Sequence, residues 1–275
     1  MASIPCALLL LLICPSQVHM GVQGGNSPTV FSSAGGTATL PCANVLDPNC
    51  SSTTWLYSST GPTDELFGHG KIKPENGKNR AERLSLFQNC SLHITDVTTE
   101  DAGLYICQQY EVGGRQSKYG APVYLTVLHV FASSRETEME AGSHVTLHCI
   151  LHTHDNCTGS VRGKGVCLSW VDKTESKLSN ITHRQIRATS TCSITLMIEL
   201  RVNNSTSTPR KWRCQLAAEW KVQTTAIYTI RIKETVTRPT ASTNSGVLLI
   251  TRAGVFVSLL AAALIIIVLI HKRKC

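Results

Sequence analysis

The stretch that most constrains the fold has seven residues, Asp101-Ala102-Gly103-Leu104-Tyr105-Ile106-Cys107. In a β-strand, successive side chains point to opposite faces of the sheet. Tyr105 and Cys107 therefore lie on one face, and Leu104 and Ile106 lie on the other. The stretch predicts a strand whose buried face includes Tyr105 and Cys107.

Together with Cys42 upstream, this stretch resembles the strand F signature Asp-x-Gly-x-Tyr-x-Cys of variable-type domains in the immunoglobulin superfamily. The resemblance implies a disulfide between Cys42 and Cys107 that joins two packed sheets, with Trp55 packed against it. Segments before and after the signature also have strand patterns, and a Gly-, Lys- and Asn-rich stretch between Tyr57 and Leu84 has room for two extra strands.

The same resemblance implies roles for the residues around the turn that enters this strand. The hydroxyl of Tyr105 is expected to tether the turn, as in the tyrosine corner of the family. Asp101 resembles the acidic partner of an arginine, and Arg83 is the arginine expected to pair with it.

The cysteine pattern occurs twice, since Cys149 and Cys214 repeat the spacing of Cys42 and Cys107. In both copies a second cysteine follows at the same offset, and another opens a predicted strand. Duplicated spacing predicts duplicated bonds, although four cysteines allow three pairings. The predicted disulfides are Cys42–Cys107, Cys50–Cys90, Cys149–Cys214 and Cys157–Cys192. The second copy has Trp212 in the tyrosine position and resembles a constant-type domain.

Cys167 is left over by this assignment. It lies on the strand of Trp170 and is predicted to face away from the interior. Its candidate role is a disulfide to a second chain, which would give a linked dimer. The alternatives are a buried unpaired thiol, or an exchange in which Cys167 bonds to Cys192 and leaves Cys157 over.

Twelve cysteines among 275 residues are too many for a reduced cytosolic protein unless they bind metal. An apolar run near the amino end predicts a cleaved secretory signal. The fold class predicted is all-β, with two immunoglobulin-like β-sandwiches followed by a stalk and one transmembrane α-helix. The predicted order is a signal peptide (1–24), a variable-type domain (25–129), a constant-type domain (130–232), a stalk (233–245), a transmembrane helix (246–270) and a cytoplasmic tail (271–275).

The apolar run from Ala253 to Ile270 is just long enough to cross a bilayer core of about 30 Å, and the basic residues after it belong on the cytoplasmic side. This predicts a single-pass plasma-membrane protein with its amino terminus outside; a GPI signal is the alternative. Arg252 is either a boundary anchor or, inside the membrane, the partner of an acidic residue on an adaptor helix. Cys275 is a lipidation candidate.

Candidate partner-binding residues face outward on the sheet that contains the signature strand, or lie in the loop that follows it. Variable-type domains in the family bind partners through this sheet and its loops, and tyrosine and arginine often dominate binding energy. Leu56 and Ile106 are expected to be exposed, unless another segment of the chain or a glycan covers them. The candidates are Leu56, Ser58, Ile106, Gln108, Tyr110, Arg115, Tyr119 and Tyr124.

Six asparagines lie in the acceptor motif Asn-x-Ser/Thr, which predicts a surface glycoprotein if the chain is exported. Three of these motifs have a predicted disulfide cysteine in the middle position, and two overlap. The acceptors are Asn49, Asn89, Asn156, Asn180, Asn203 and Asn204.

No nucleophile elbow, phosphate-binding glycine loop or pair of catalytic carboxylates is present, so the chain is not predicted to be an enzyme or to hold a cofactor. The segment 148–155 holds three histidines and an aspartate, but a polar loop is favoured there over a zinc site. Half of the net charge of +8 comes from Arg252 and the tail, so nucleic-acid binding is not indicated. The predicted function is binding of a cell-surface or secreted protein in immune recognition, costimulation or adhesion. The alternatives are an adaptor-coupled receptor and, more remotely, a metal-dependent enzyme.

Overall fold

The computed structural model describes residues 27–74, 78–117, 120–134, 138–140, 142–157, 159, 161, 163–200 and 210–232. These residues form two β-sandwiches, called here the first and the second sandwich, each around its own hydrophobic core. The predicted signal, stalk, membrane segment and tail lie outside the described residues. Within the described ranges, no helix is both long and apolar enough to cross a membrane.

The first sandwich packs two sheets face to face. Its strands are β1 (Thr29–Ser33), β2 (Ala38–Leu40), β3 (Thr53–Ser58), β4 (Asp64–Gly68), β5 (Lys71–Ile72), β6 (Leu84–Leu86), β7 (Leu92–Ile94), β8 (Gly103–Gln109) and part of β9 (Ala121–Ala132). One sheet has the order β9-β8-β3-β4-β5 with β1 parallel to β9, and the other has the order β2-β7-β6. A short helix α1 (Lys78–Ala81) precedes β6, and β4 and β5 occupy the stretch expected to hold two extra strands.

The second sandwich has the same two-layer plan. Its strands are the rest of β9 with β10 (Glu138–Met139), β11 (His144–His152), β12 (Cys167–Val171), β13 (Arg184–Ser190), β14 (Ser193–Glu199), β15 (Arg210–Ala218) and β16 (Lys221–Ile232). One sheet has the order β13-β14-β11-β9, and the other has the order β10-β16-β15-β12.

Strand β9 belongs to both sandwiches. Its first half pairs with β8, and its second half pairs with β11, so one continuous sheet runs through both. Val127 and Leu128 are both fully buried, but Val127 enters the first core and Leu128 enters the second. Because neighbouring side chains on a strand point to opposite faces, the two cores contact opposite faces of β9 at this point. No glycine or proline interrupts residues 123–132, which is why the strand continues from one sandwich into the next.

Four disulfides join pairs of described residues, and they are the four pairs that the duplicated cysteine pattern predicts. Cys42–Cys107 and Cys149–Cys214 join the two sheets of each sandwich, and both have a sequence separation of 65. Cys50–Cys90 and Cys157–Cys192 each tie the loop after the first cysteine to the turn before a later strand. The predicted alternative in which Cys167 bonds to Cys192 is therefore not the arrangement in this structure.

The turn that enters β8 is held by the residues that the sequence singles out. The buried Asp101 carboxylate accepts hydrogen bonds from the Arg83 guanidinium at 2.6 and 3.0 Å and from the Thr98 amide at 2.8 Å. Burial alone would raise the pKa of Asp101, but the hydrogen bonds from Arg83 and Thr98 outweigh it and hold the pKa below its ordinary value. The Tyr105 hydroxyl donates to the Asp101 carbonyl oxygen at 2.8 Å, which is the tether that the tyrosine corner implies.

Candidate functional site

The outer face of the sheet β9-β8-β3-β4 has an apolar row at its centre. The backbone of Ile106 on β8 pairs with Leu56 on β3 and with Pro122 on β9, so the three side chains lie side by side on one face. All three are half-buried. The expectation that Leu56 and Ile106 are exposed is thus corrected, because each packs against its neighbours across the strands. The rest of their surface faces outward.

Gly120 makes room for the side chain of Ile106. A Cβ atom at Gly120 would lie 2.4 Å from the Ile106 Cγ2 atom and 3.3 Å from the Gln108 Cγ atom. Only a residue without a side chain allows Ile106 to lie over the start of β9 in this way. Because Gly120 has no side chain, the Ile106 side chain can lie close against the backbone of the sheet.

Polar groups flank the apolar row on the side toward the loops. The Tyr110 hydroxyl donates to the Gln108 Oε1 atom at 2.8 Å, and the Tyr110 ring lies against the His69 ring with centroids 5.3 Å apart. On the other side, Ser58, Leu104 and Tyr124 form the next cross-strand row. The face thus combines an apolar centre with polar groups on the side toward the loops, where a protein-binding patch would have its polar rim.

The loop after β8 is a hairpin at the end of the first sandwich where Tyr110 borders the apolar row. Tyr110 and Gln116 pair as an isolated bridge, and the Glu111 amide donates to the Arg115 carbonyl oxygen at 2.8 Å. The side chains of Arg115 and Glu111 form an ion pair at 2.7 Å, which lowers the pKa of Glu111 and raises that of Arg115. This pair is open to solvent and adds little stability. Val112 at the tip is fully exposed.

Gln109 fixes the position of this hairpin relative to the loop before β3, and sequence patterns do not identify it. Its side chain is buried, and its Oε1 atom accepts from the Leu46 amide at 3.2 Å and from the Ser52 hydroxyl at 3.0 Å. Its Nε2 atom donates to the Thr53 hydroxyl at 2.9 Å. The only signal for this role is its place two residues after Cys107, where alternation turns a polar side chain inward.

Residues 25–128 match the family model described as the immunoglobulin V-set domain. Residues 25–128 are therefore an immunoglobulin V-set domain. A search of solved structures returned the crystal structure of murine CEACAM1b, with 19% sequence identity, coverage of 75% of this chain and 96% of that chain, and a TM-score of 0.29. At this TM-score the similarity carries no argument about fold or function. No curated protein sequence matched the chain.

In the V-set domain the structure brings together most of the predicted partner-binding residues. Leu56, Ile106 and Gln108 share the outer face, and Ser58 lies in the row beside them. Tyr110 lies at its border, and Arg115 lies in the hairpin. Tyr119 lies outside the described residues.

Tyr124 has a different environment from the one expected. Its ring lies on the outer face of the V-set sheet, but its centroid is 6.0 Å from that of His154 in the second sandwich. Tyr124 therefore lies where the V-set domain meets the loop after β11. Its contact is within the chain, and its contribution to a partner surface is correspondingly smaller.

Histidines cluster where the V-set domain meets the second sandwich. The ring of His129 on β9 lies between those of Phe131 and His152, at 5.3 and 6.1 Å. Burial lowers the pKa of His129, and burial followed by the charge of His129 lowers the pKa of His152. In the described part of the chain, no group of three or more His, Cys, Asp or Glu side chains is arranged to hold a metal ion.

Several predicted sites stay predictions. Asn203, Asn204, Arg252 and Cys275 lie outside the described residues, while the other acceptor asparagines Asn49, Asn89, Asn156 and Asn180 are exposed. Cys167 is half-buried on β12, and its predicted role in linking two chains is untested.

Proposed function

We propose that this chain is a single-pass cell-surface glycoprotein that binds a protein partner through the outer face of its V-set domain. The observation that carries the proposal is the apolar row of Leu56, Ile106 and Pro122, which opens outward and has polar groups beside it toward the loops. Strand alternation places these apolar side chains on the face away from the core. Apolar surface in that position contributes binding energy when a partner covers it.

The hairpin after β8 extends the proposed binding surface. Val112 at its tip and Leu46 in the loop before β3 are both exposed apolar residues, and Gln109 links the two loops beneath them. A groove of about 230 Å³ lies between the loops. A partner that covers the apolar row would therefore also meet these loops, which favours recognition of a protein surface over a small ligand.

A screen of the ectodomain, residues 25–245, against cell-surface proteins would identify the partner, and Ile106→Glu would then test the surface. A carboxylate in the apolar row must be desolvated when the partner binds, so affinity should fall at least about tenfold, which is about 1.4 kcal/mol. The matched control is Ile227→Glu, because Ile227 is an exposed apolar residue of the second sandwich. Binding should be unchanged in that variant.

Ser58→Arg gives an independent test that leaves the apolar row in place. Ser58 is half-buried at the edge of the row, so a long charged side chain there would block a partner without opening the core. If both V-set variants fold and bind as tightly as the wild type, the proposed surface is wrong. Equal loss in the Ile227→Glu control would indicate that binding involves the second sandwich.

A further inference from the structure

A shallow groove of about 500 Å³ lies on the second sandwich, away from the proposed partner-binding face. Two large apolar side chains in it are open to solvent, since Ile181 is 41% exposed and Met197 is 46% exposed. The groove is lined by Asn180, Ile181, Gln185, Ile186, Arg187 and Met197. Asn180 begins the acceptor motif Asn180-Ile181-Thr182, so the groove contains its own attachment point for a glycan.

The groove follows the free edge of a sheet. Strand β13 is the last in the order β13-β14-β11-β9, so within the described part of the chain one side of its backbone has no neighbouring strand. Asn180 covers part of this edge, because its Oδ1 atom accepts a hydrogen bond from the Ile186 amide at 2.6 Å. Unprotected edges and exposed apolar side chains together favour aggregation, and proteins generally cover one or both.

The geometry of Asn180 suits glycan attachment. Two hydrogen bonds of 2.9 Å between Ile181 and Arg184 hold the motif in a tight turn at the surface. The carbonyl oxygen of the Asn180 side chain is used by Ile186, and within the described residues its Nδ2 atom has no protein partner. A sugar on Nδ2 leaves the oxygen free to keep its bond, so attachment does not disturb the edge.

The other described glycan-acceptor asparagines differ from Asn180 in the residue that follows them. Asn49, Asn89 and Asn156 are each followed by a cysteine that forms a disulfide. Asn180 has no cysteine in its motif and lines a groove with exposed apolar side chains. This combination distinguishes Asn180 as the place where a glycan would have both an anchor and a surface to cover.

We propose that Asn180 carries an N-linked glycan whose first sugars lie in this groove, over Ile181 and Met197, and shield the edge of β13. In the transfer, a bond forms between Nδ2 of Asn180 and the first sugar carbon of a polyprenyl-diphosphate-linked oligosaccharide. The bond from that carbon to the diphosphate breaks, the diphosphate leaves, and Nδ2 loses one proton. The inference rests on the proposed export of the chain.

Oxidation of Met197 provides a local test. The full-length chain is expressed in animal cells as Thr182→Ser, which keeps the acceptor motif, and as Thr182→Ala, which removes it. Both keep Asn180 and its hydrogen bond to Ile186, which Asn180→Gln would alter. Peptide mapping then measures occupancy of Asn180 and the rate at which peroxide converts Met197 to its sulfoxide, a rate that follows exposure.

The expected result is an occupied Asn180 in Thr182→Ser and several-fold slower oxidation of Met197 there than in Thr182→Ala. Met139, which is buried, should be slow in both and reports that the second sandwich is folded. Enzymatic removal of glycans from the folded wild type gives the same comparison without a substitution. An unoccupied Asn180, or equal Met197 rates despite occupancy, would overturn the inference. Neither readout needs a partner, so such a failure is distinct from failure of the proposed recognition.

Discussion

The two sandwiches share one disulfide plan but differ in how their buried polar groups are paired. In the first sandwich, the Trp55 indole donates to the Cys90 carbonyl oxygen at 2.9 Å. The Asp101 carboxylate accepts from Arg83, and the Tyr105 hydroxyl donates to the Asp101 carbonyl oxygen; these bonds are called here the bonded corner. In the second, the indole nitrogens of Trp170 and Trp212 are buried, and neither has a hydrogen-bond partner in the described part of the chain. Trp212 occupies the place that corresponds to Tyr105.

The difference shows which features the sandwich plan requires. Both sandwiches keep the inter-sheet disulfide with the same sequence separation of 65, so the covalent frame is common to them. Among the described residues, the bonded corner is seen in the first sandwich. The corner holds the turn that leads into β8, in the sandwich whose loops and outer face form the proposed binding surface.

Removing the inter-sheet disulfides should have the largest effect and should be equal in the two sandwiches. We compare Cys42→Ala/Cys107→Ala with Cys149→Ala/Cys214→Ala. With equal loop lengths, the chain-entropy model gives a loss of about 4 kcal/mol for each pair. Hydrogen exchange, which reports the opening free energy of each sandwich separately, measures the loss.

The shorter loop closed by Cys50–Cys90 provides the control for this comparison. Cys50–Cys90 closes a separation of 40, so its removal should cost about 0.4 kcal/mol less by the same model. If one inter-sheet pair costs several times as much as the other, loop entropy is not the main source of stabilisation. Packing around the sulfur atoms would then account for the difference.

Breaking the bonded corner should destabilise the first sandwich alone. Asp101→Ala leaves the partly buried Arg83 without its carboxylate and the Thr98 amide without its acceptor. Loss of such a pair should lower the unfolding free energy of the first sandwich by about 3 kcal/mol. Hydrogen exchange in β8 and β3 should speed up, while exchange in β14 should not change.

Trp212→Phe is the matched change in the second sandwich. It removes an indole N–H group that has no hydrogen-bond partner among the described residues, and it keeps an aromatic ring packed against the core. The two effects oppose each other, so stability should change by less than about 1 kcal/mol. A loss as large as that of Asp101→Ala would contradict the expected difference between the two sandwiches.

Acidification should weaken the two sandwiches in different pH ranges. The pKa of His129 and of His152 is lowered from the ordinary value of 6.5, so their neutral forms favour the folded state. The stability that this contributes to the β9–β11 pair is present above pH 6.5 and is lost as the pH falls below it. Asp101, lowered from 3.8, gives stability to the first sandwich that is lost only as the pH falls below that value.

Hydrogen exchange at pH 7, 5 and 3 would separate these ranges. Between pH 7 and pH 5, exchange in β11 should rise relative to β8, and His129→Gln/His152→Gln should remove that rise. Below pH 4, exchange in β8 should rise, and Asp101→Asn should remove this second change. If exchange in β8 and β11 rises together between pH 7 and pH 5, the two histidines do not act on the second sandwich separately from Asp101 in the first, and the prediction is wrong.

Patterns local to one strand were predictable from the sequence. Alternation in β8 places Tyr105 and Cys107 inside and Ile106 outside, and the structure agrees because a half-buried strand has a period of two. The environment of Tyr124 could not be predicted, because His154 reaches it from a loop distant in sequence. Gln109 was missed for the same reason, since its partners Leu46 and Ser52 lie before β3.

The edge strand β13 illustrates the other limit. Its sequence, Arg184–Ser190, has little apolar alternation, because an edge strand with mostly exposed residues has little hydrophobic signal. Its pairing with the strongly apolar β14 determines its structure. The acceptor motif at Asn180 was visible in the sequence, but the groove beside it was not.

The strand motif, the order of cysteines and the spacing of apolar residues were enough to predict a variable-type domain, two disulfide-linked sandwiches and the buried and outward faces of their main strands. These are properties of covalent bonds and of one strand at a time. Tertiary structure alone decided that β9 joins the sandwiches, that Ile106 lies low over Gly120 and that Asn180 stands beside an apolar groove. Each of these depends on contacts between residues far apart in the chain, and such contacts exist only once the sheets have packed.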